Sequence, residues 1–499
     1  MRFISLLSKT LLAIILFLIL GVAAILTFGP VSNPKAMLGV LFGYTIDSPT
    51  ESTLQQRLQA AEGFSVGQYA ANLGHIRFMA FANNGDLLVS QPRQGQILLL
   101  KADANNDGRH DGKTTLLEQL RRPHGLAFHE SWLYVAESDA VGRIAYDHES
   151  GTVTGDYQRI VTGLTDDGNH WSKSLLIHNG KLLVSMGSTC NVCEEADPRR
   201  ATIMEFDLDG ANGRIFASGL RNSVGLDAAP WSGEVYATDN GRDLLGDDYP
   251  PCELNRIEAD KFYGWPYING FGDLDPDFGA GQEVRLNSAQ SPVFGFPAHN
   301  APLGMRFIRN AKVPAGYEKT ALVALHGSWN RSTPDGYKVI ALDWANDGSI
   351  TSRDFLSGFE RDGDVIGRPV DIAEGPDHCI YVSDDYAGSI YRVCHGQQQV
   401  SAPQEDAAST TTGLELLSAD DILQASTAAE NLIAQHNCME CHHLNGVGNQ
   451  QSGKSLEHLN KRYQVDSLSE YFLTPNAPMP QYELTETQRR HLAIYLLNQ

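Results

Sequence analysis

One pattern returns six times between residues 85 and 393. A turn with Gly or Asn leads into a run of β-branched or aliphatic residues. A polar turn follows, then a second such run that ends near a charged residue. The copies read GDLLVSQPRQGQILLLKAD, SWLYVAESDAVGRIAYD, GKLLVSMGSTC with TIMEFDLDG, GEVYATDNG with ELNRIEAD, ALVALHGSWNR with GYKVIALDW, and HCIYVSDDYAGSIYRV. Short runs bounded by turn residues are strands, and each pair is a hairpin. A hairpin cannot bury both its faces alone, and repeats about fifty residues apart solve this by stacking on their neighbours. The pattern predicts an all-β six-bladed propeller. A sandwich with coincidental hairpins is the alternative, and the regularity argues against it. The fourth and fifth copies are separated by a longer stretch, Phe262 to about Pro314. We expect an insertion there, on the face where binding loops gather.

The flanks divide the rest of the chain. Arg2 and Lys9 precede a run from Leu11 to Phe28 without a charge. About eighteen such residues suffice to cross the hydrocarbon core. Residues 1–30 are expected to be an N-terminal transmembrane helix, with a cleaved signal peptide ending near Ala23–Ala24 as the alternative. Basic residues before the span keep that end in the cytoplasm. Everything after it is expected in the periplasm, held at the inner membrane. Residues 31–60 read as a juxtamembrane linker with a short helix, and 61–400 as the propeller. Residues 401–418 are small, polar and proline-containing, a flexible linker. Residues 419–499 read as a small all-α domain, with ADDILQASTAAENLIAQHN before a cysteine motif and TETQRRHLAIYLLNQ closing the chain.

That motif is Cys438-Met439-Glu440-Cys441-His442. Two thiols one turn apart can form thioethers to haem vinyl groups, and the adjacent imidazole falls under the iron. A zinc site would need a second ligand pair, and none follows at finger-like spacing. The domain is expected to be a cytochrome c, with haem c bound through Cys438 and Cys441 and ligated by His442. Met479, between prolines in TPNAPMPQY, is the expected sixth ligand, ahead of Met439, His443 and His491. Of the seven cysteines, Cys379 and Cys394 flank a hairpin, Cys190 and Cys193 are close in sequence, and Cys252 is left over. An exported chain permits disulfides, although spacing alone does not give their connectivity. The net charge of −22 argues against nucleic acid as a partner.

The propeller carries loop clusters that a bare scaffold does not need. His170 lies in DDGNHWSKSLLIHNG, and Arg221 with Asn222 in GLRNSVGLD. Gly241 and Arg242 lie in NGRDLLGDDYPPC, His299 in HNAPLG, Arg331 in HGSWNRS, and Arg368 in GRPVDI. Cations converging from several blades suit a polyanionic ligand in a central pocket. The alternation Asp103–Asp111 resembles the start of a calcium loop. It lacks the terminal glutamate, which favours a polar turn held by Asx hydrogen bonds.

From roughly Gly63 to Val393 the chain resembles the quinoprotein glucose/sorbosone dehydrogenases, six-bladed propellers that bind pyrroloquinoline quinone (PQQ). The resemblance is carried by the order of GLAFHESWLYVAES, NHWSKSLLI, GLRNSVGL, ELNRI with YGWP, HGSWNRS, and GRPVDI with YVSDD. It lies closest to the sorbosone/aldose branch, and fusion to a cytochrome c occurs in the wider family. The resemblance implies PQQ-dependent oxidation of a sugar, with electrons passing to the fused haem and on to a respiratory quinone or cytochrome. His170 would be the general base. Arg221 would polarise the reactive carbonyl beside Asn222, and Arg368 would hold a PQQ carboxylate. Arg331 stands near the position of a cofactor-binding lysine. The backbone oxygens of Gly241 and Arg242 would face a calcium ion. His124 replaces the neighbourhood of an expected glutamine, and His299 that of a threonine. A metal-dependent, lactonase-like propeller hydrolase and a non-catalytic binding propeller are the alternatives.

Overall fold

The computed structural model describes residues 45–309, 314–396, 414, 417–449, 454–457, 459–461, 463, 465–473, 475 and 479–499. The chain divides into two compact units, 1–400 and 401–499. The expected membrane helix and most of the expected 401–418 linker lie outside the described residues. Among the described residues, no helix is long and apolar enough to cross a membrane.

The first unit is a propeller of six sheets, each built on four antiparallel strands. In each blade the first strand touches the first strands of its neighbours, so these six line the axis. They are Met79–Phe81, Leu126–His129, Leu175–His178, Ser223–Ala228, Pro302–Phe307 and Pro369–Glu374. The second strands are the apolar runs of the repeat. Leu87–Gln91, Trp132–Ala136, Lys181–Met186, Val235–Asp239, Thr320–Leu325 and Ile380–Asp384 are buried along almost their whole length. A blade on either side covers both faces, so no polar alternation is needed.

The ring closes between distant parts of the chain. Phe64–Ala70 pairs with Ser389–His395 as the outer strand of the last blade, so the first and last segments of the propeller share one sheet. The Cys379–Cys394 disulfide ties two strands of that sheet, and a second disulfide joins Cys190 and Cys193. Cys252 is buried as a free thiol.

Two expectations change. The stretch from Phe262 to Pro314 is only partly an insertion. Phe294–Phe296 is the outer strand of blade four, and Pro302–Phe307 is the inner strand of blade five. Neither has the turn-flanked apolar signature of the second strands. Residues 45–60 do not form a bare linker. Leu54 and Leu58 bury an apolar face against blades five and six, Arg57 pairs with Asp364 at 2.7 Å, and Gln59–Ala60 extends blade five.

In the second unit, helix Ala419–Gln435 starts in a capping box of Ser418 and Asp421. Ala425, Ala429 and Leu432, on one helical face, pack on helix Glu486–Leu497 and on Leu444, Leu468 and Phe472. Asn437 adopts φ 51° and turns the chain out of the helix into the short turn Cys438–Glu440.

Candidate active site

A blade's first strand begins, and its second strand ends, at the same end of the axis. Side chains at these two positions therefore collect at one mouth of the propeller. Arg77, His124, Lys173, Arg221, Asn300 and Arg368 stand just before first strands, and Ser188, Asn240, His326 and Asp385 just after second strands. Hydrogen bonds link neighbouring blades here. Ser188 N donates to Arg221 O at 2.7 Å, Asn240 Nδ2 to Pro302 O at 3.2 Å, and Arg368 Nε to His326 O at 3.1 Å.

On the side of blades three and four, half-buried His170 lies 2.8 Å from Ser188 Oγ through Nδ1. The Ser188 hydroxyl donates to Cys190 O at 2.8 Å, so its oxygen accepts from the imidazole. Nδ1 therefore carries the proton, and Nε2 keeps its lone pair. Burial, then the Arg221 charge, pushes His170 down to about 3. Its backbone is stapled by buried Arg200, which donates to His170 O at 3.2 Å, Ser188 O at 3.0 Å and Gly187 O at 2.6 Å. A Cβ on Gly187 would sit 2.6 Å from His170 Cβ and 2.7 Å from Asn222 Oδ1. His170 and Asn222 thus meet over a glycine.

Arg221 is buried and well occupied. It donates to Asn191 O at 2.8 Å, Asn191 Oδ1 at 2.9 Å, Asn240 O at 3.1 Å and Asp243 Oδ2 at 3.1 Å. These bonds use four of the five donors of a guanidinium. Asp243 also lies 3.6 Å from His299 Nδ1, while His299 Nε2 donates to Gly246 O at 2.7 Å. Arg242 turns its side chain to Asp275 at 2.7 Å and Asp277 at 2.9 Å. Arg331 clamps the same loop, through Asp247 O at 2.6 Å and Asp248 at 2.9 Å. Its guanidinium thus braces the Gly241–Pro250 loop.

Beneath Arg221 and Asn222, Asp239 accepts both of their backbone N–H groups, at 2.9 and 2.6 Å. Glu253 is its cross-strand partner. Burial pushes Asp239 up to about 6, and burial together with Asp239 pushes Glu253 up to about 8. In the unfolded chain Glu253 releases its proton near 4.5, whereas the folded protein holds it to about 8. Its contribution to stability is complete below 4.5 and is lost as pH rises to about 8. Glu253→Gln removes this titration. The variant is expected to gain on the parent as pH rises from 4.5 to 8, read as urea midpoints at those two values. A difference that stays constant with pH would contradict it.

Across the mouth, the structure assembles a cluster that residue-by-residue reading missed. Asp385 accepts from Arg77 at 2.7 Å and from His326 Nε2 at 2.8 Å, with His75 Nε2 at 3.5 Å. Burial pushes His75 and His326 down to about 4, while His326, Arg77 and His75 hold Asp385 well below the usual range despite its burial. His124 is fully buried, its ring 4.4 Å from Phe78, and its Nε2 is 3.4 Å from Arg77 Nε. His75 Nδ1, His124 Nδ1, Asn300 Oδ1 and Asn330 Nδ2 are buried without a partner. The guanidiniums of Arg77 and Arg368 beside the Asn330 amide and the Asn300 carbonyl offer donors and acceptors to a flat ligand carrying several carboxylates and carbonyls. The Asp103–Asp111 turn is tied by its own carboxylates, with Asp103 accepting from Asp107 N at 3.0 Å and Gly108 N at 2.8 Å.

In the second unit, Cys438 and Cys441 are free thiols, one turn apart, with Cys441 N donating to Cys438 O at 3.3 Å. The Tyr482 hydroxyl donates to His436 O at 3.3 Å, two residues before Cys438. Tyr482 thus packs at the entrance to the motif, its ring 4.7 Å from that of His436. Half-buried Met479 packs against the same core cluster as Met439 and Leu444. This donor set fits a covalently attached haem.

The TrAA12-like family model matches residues 58–256 and 282–396. The gap between them falls in the insertion that carries Asp275 and Asp277. An uncharacterized protein of Borreliella burgdorferi is 35% identical over 301 residues, covering 56% of this chain and 77% of its own. A pyrroloquinoline quinone-dependent pyranose dehydrogenase of Coprinopsis cinerea is 25% identical over 347 residues, 60% of this chain. The chain spans 46% of that relative's length. The calcium structure of a Trichoderma reesei family AA12 carbohydrate-active enzyme superposes with TM-score 0.61 at 22% identity, covering 70% of this chain and 99% of its own. That likeness is one of fold.

Proposed function

The chain belongs to the TrAA12-like family, and from that premise we propose that it is a PQQ-dependent sugar dehydrogenase, an oxidoreductase acting on CH–OH groups. The observation that carries this reading is the Nε2 lone pair of His170 beside Asn222, at the rim of a mouth lined by Arg77, Arg368 and His326. PQQ, when bound, supplies the two-electron acceptor for the carbinol carbon. Arg77 and Arg368 would hold its carboxylates and carbonyls. The backbone oxygens of Gly241 and Arg242 are proposed to face calcium. A Cβ at Gly241 would lie 2.7 Å from Pro251 O, so only glycine fits that turn.

His170 Nε2 takes the hydroxyl proton of the sugar. Ser188 fixes the tautomer, and burial keeps the imidazole neutral, as a base must be. Arg221, whose charge acts on His170, has one guanidinium N–H left, which would stabilise negative charge that develops on the accepting side. A lactonase-like site would need inward carboxylates open to a metal. Asp385 is instead occupied by Arg77 and His326.

The second unit is proposed to be a cytochrome c, attached through Cys438 and Cys441 and ligated by His442 and Met479. It would pass electrons singly to a respiratory quinone or cytochrome. The segment Leu11–Phe28 is proposed to hold both units at the periplasmic side of the inner membrane. The test is an anaerobic absorption spectrum of the full-length protein with PQQ and calcium. Adding aldoses should produce reduced haem bands, and an unchanged spectrum across sugars and aldehydes would reject the reading.

Gly187→Ala adds its methyl where His170 and Asn222 converge. It is expected to lower kcat by about 10²-fold through displacement of the base. The overpacking should cost about 1–3 kcal/mol of stability. Stopped-flow turnover and a melting curve on the same sample separate the two effects.

A further inference from the structure

His170 and Arg221 are both held from one short loop that neither the family resemblance nor the repeat singles out. The loop is Cys190–Cys193, closed by a disulfide across a sequence separation of 3. Its first residue supplies the carbonyl that accepts the Ser188 hydroxyl at 2.8 Å, and that bond leaves Ser188 Oγ free to accept from His170. Its second residue, Asn191, uses three polar atoms. Asn191 O accepts from Arg221 Nε at 2.8 Å, and Asn191 Oδ1 accepts from Arg221 Nη2 at 2.9 Å. The same Oδ1 accepts from Asp243 N at 2.8 Å, while Asn191 Nδ2 donates to Asp243 O at 3.1 Å. Asn191 therefore bridges the guanidinium and the start of the loop that follows Gly241.

We propose that the Cys190–Cys193 loop is a positioning element of this site. Asn191 aims the Arg221 guanidinium, and the Cys190 carbonyl sets the His170 tautomer through Ser188. The disulfide keeps both in register. A four-residue loop has few internal contacts of its own, and removing the crosslink restores its backbone freedom. The two anchors would then move together. The proposal rests on the roles given above to His170 and Arg221, and its test reads positioning separately from catalysis.

The experiment uses the full-length protein and three samples besides wild type: Asn191→Ala, Asn191→Asp, and the double variant Cys190→Ser with Cys193→Ser. Arg221 is probed with phenylglyoxal and quantified by peptide mass spectrometry. The same preparations, loaded with PQQ and calcium, give kcat and KM for an aldose. In Asn191→Ala and in the double variant, Arg221 labelling should rise several-fold and kcat should fall by about 10²-fold, with KM little changed. Asn191→Asp keeps the Oδ1 acceptor for Arg221 but loses the Nδ2–H donated to Asp243 O, so it should recover only part of the protection and part of kcat, more than Asn191→Ala does. Should a variant fail to fold, wild-type protein treated with dithiothreitol, its Cys190–Cys193 bond shown to be open by mass spectrometry, puts the same question without a mutation. Arg221 protection unchanged by all these treatments overturns the proposal. Labelling that rises while kcat holds supports the positioning role and overturns the catalytic reading of Arg221.

Discussion

Replacing His170 by alanine is expected to lower kcat for sugar oxidation by about 10²–10⁴-fold, the range for loss of a positioned general base. KM should change little, because the imidazole contributes one lone pair to a mouth whose cations do most of the holding. The pH profile carries the more specific signature. Burial and the Arg221 charge push His170 down to about 3 from an ordinary 6.5. An anionic ligand on Arg221 and its neighbours offsets that charge and raises the value again. The acid limb of kcat/KM should therefore lie between 3 and 6.5, with full activity above it. In His170→Ala this limb should vanish, and added imidazole should restore part of the rate. Activity equal to wild type in the variant would take the base role away from His170 and leave it to another group at the mouth.

The parts of the fold that could be read from the chain are those whose sequence pattern is imposed by local burial. LLVSQ, WLYVA and IYVSD are buried along almost their whole length because a neighbouring blade covers each face, and each opens on an apolar run. Outer strands are different. Lys113–Leu117 is exposed over its first half, and Phe294–Phe296 is only three residues long. Nothing local marks either. The closing pair, Phe64–Ala70 with Ser389–His395, joins segments more than 300 residues apart (Phe64 opposite His395), a partnership that no window along the sequence contains.

The site divides along the same line. His170, Arg221, Asn222 and Arg368 stand in loops whose composition is odd for a scaffold. Arg77, His326 and Asp385 look ordinary one at a time, and only the meeting of blades five, six and one makes them a cluster. The signal that could have found them is positional. Arg77 precedes a first strand as Arg221 does, and Asp385 follows a second strand. Arg331 shows the converse limit. An arginine in a functional loop suggests a ligand, yet its guanidinium braces the backbone that carries Gly241. Charge type alone does not reveal which way a side chain turns.

Cys441→Ser is expected to abolish communication between sugar oxidation and the haem while leaving the propeller reaction intact. One thioether is lost outright, and the adjacent His442 loses the tether that places it under iron. Full-length variant protein should show little or no covalently bound haem in a denaturing gel stained for haem peroxidase activity. With PQQ, calcium and an artificial dye as acceptor, its aldose oxidation should stay close to wild type, since no propeller residue is altered. With a cytochrome or quinone as acceptor, turnover should fall to background. Met479→Ala offers a graded version, because replacing a thioether ligand lowers the potential without removing the haem. That variant should keep its haem stain and lose the rate to a high-potential acceptor. A wild-type protein that takes up no haem in a host competent for cytochrome c maturation would instead leave Cys438 and Cys441 as a bare dithiol. The electron outlet would then have to be sought on the propeller itself.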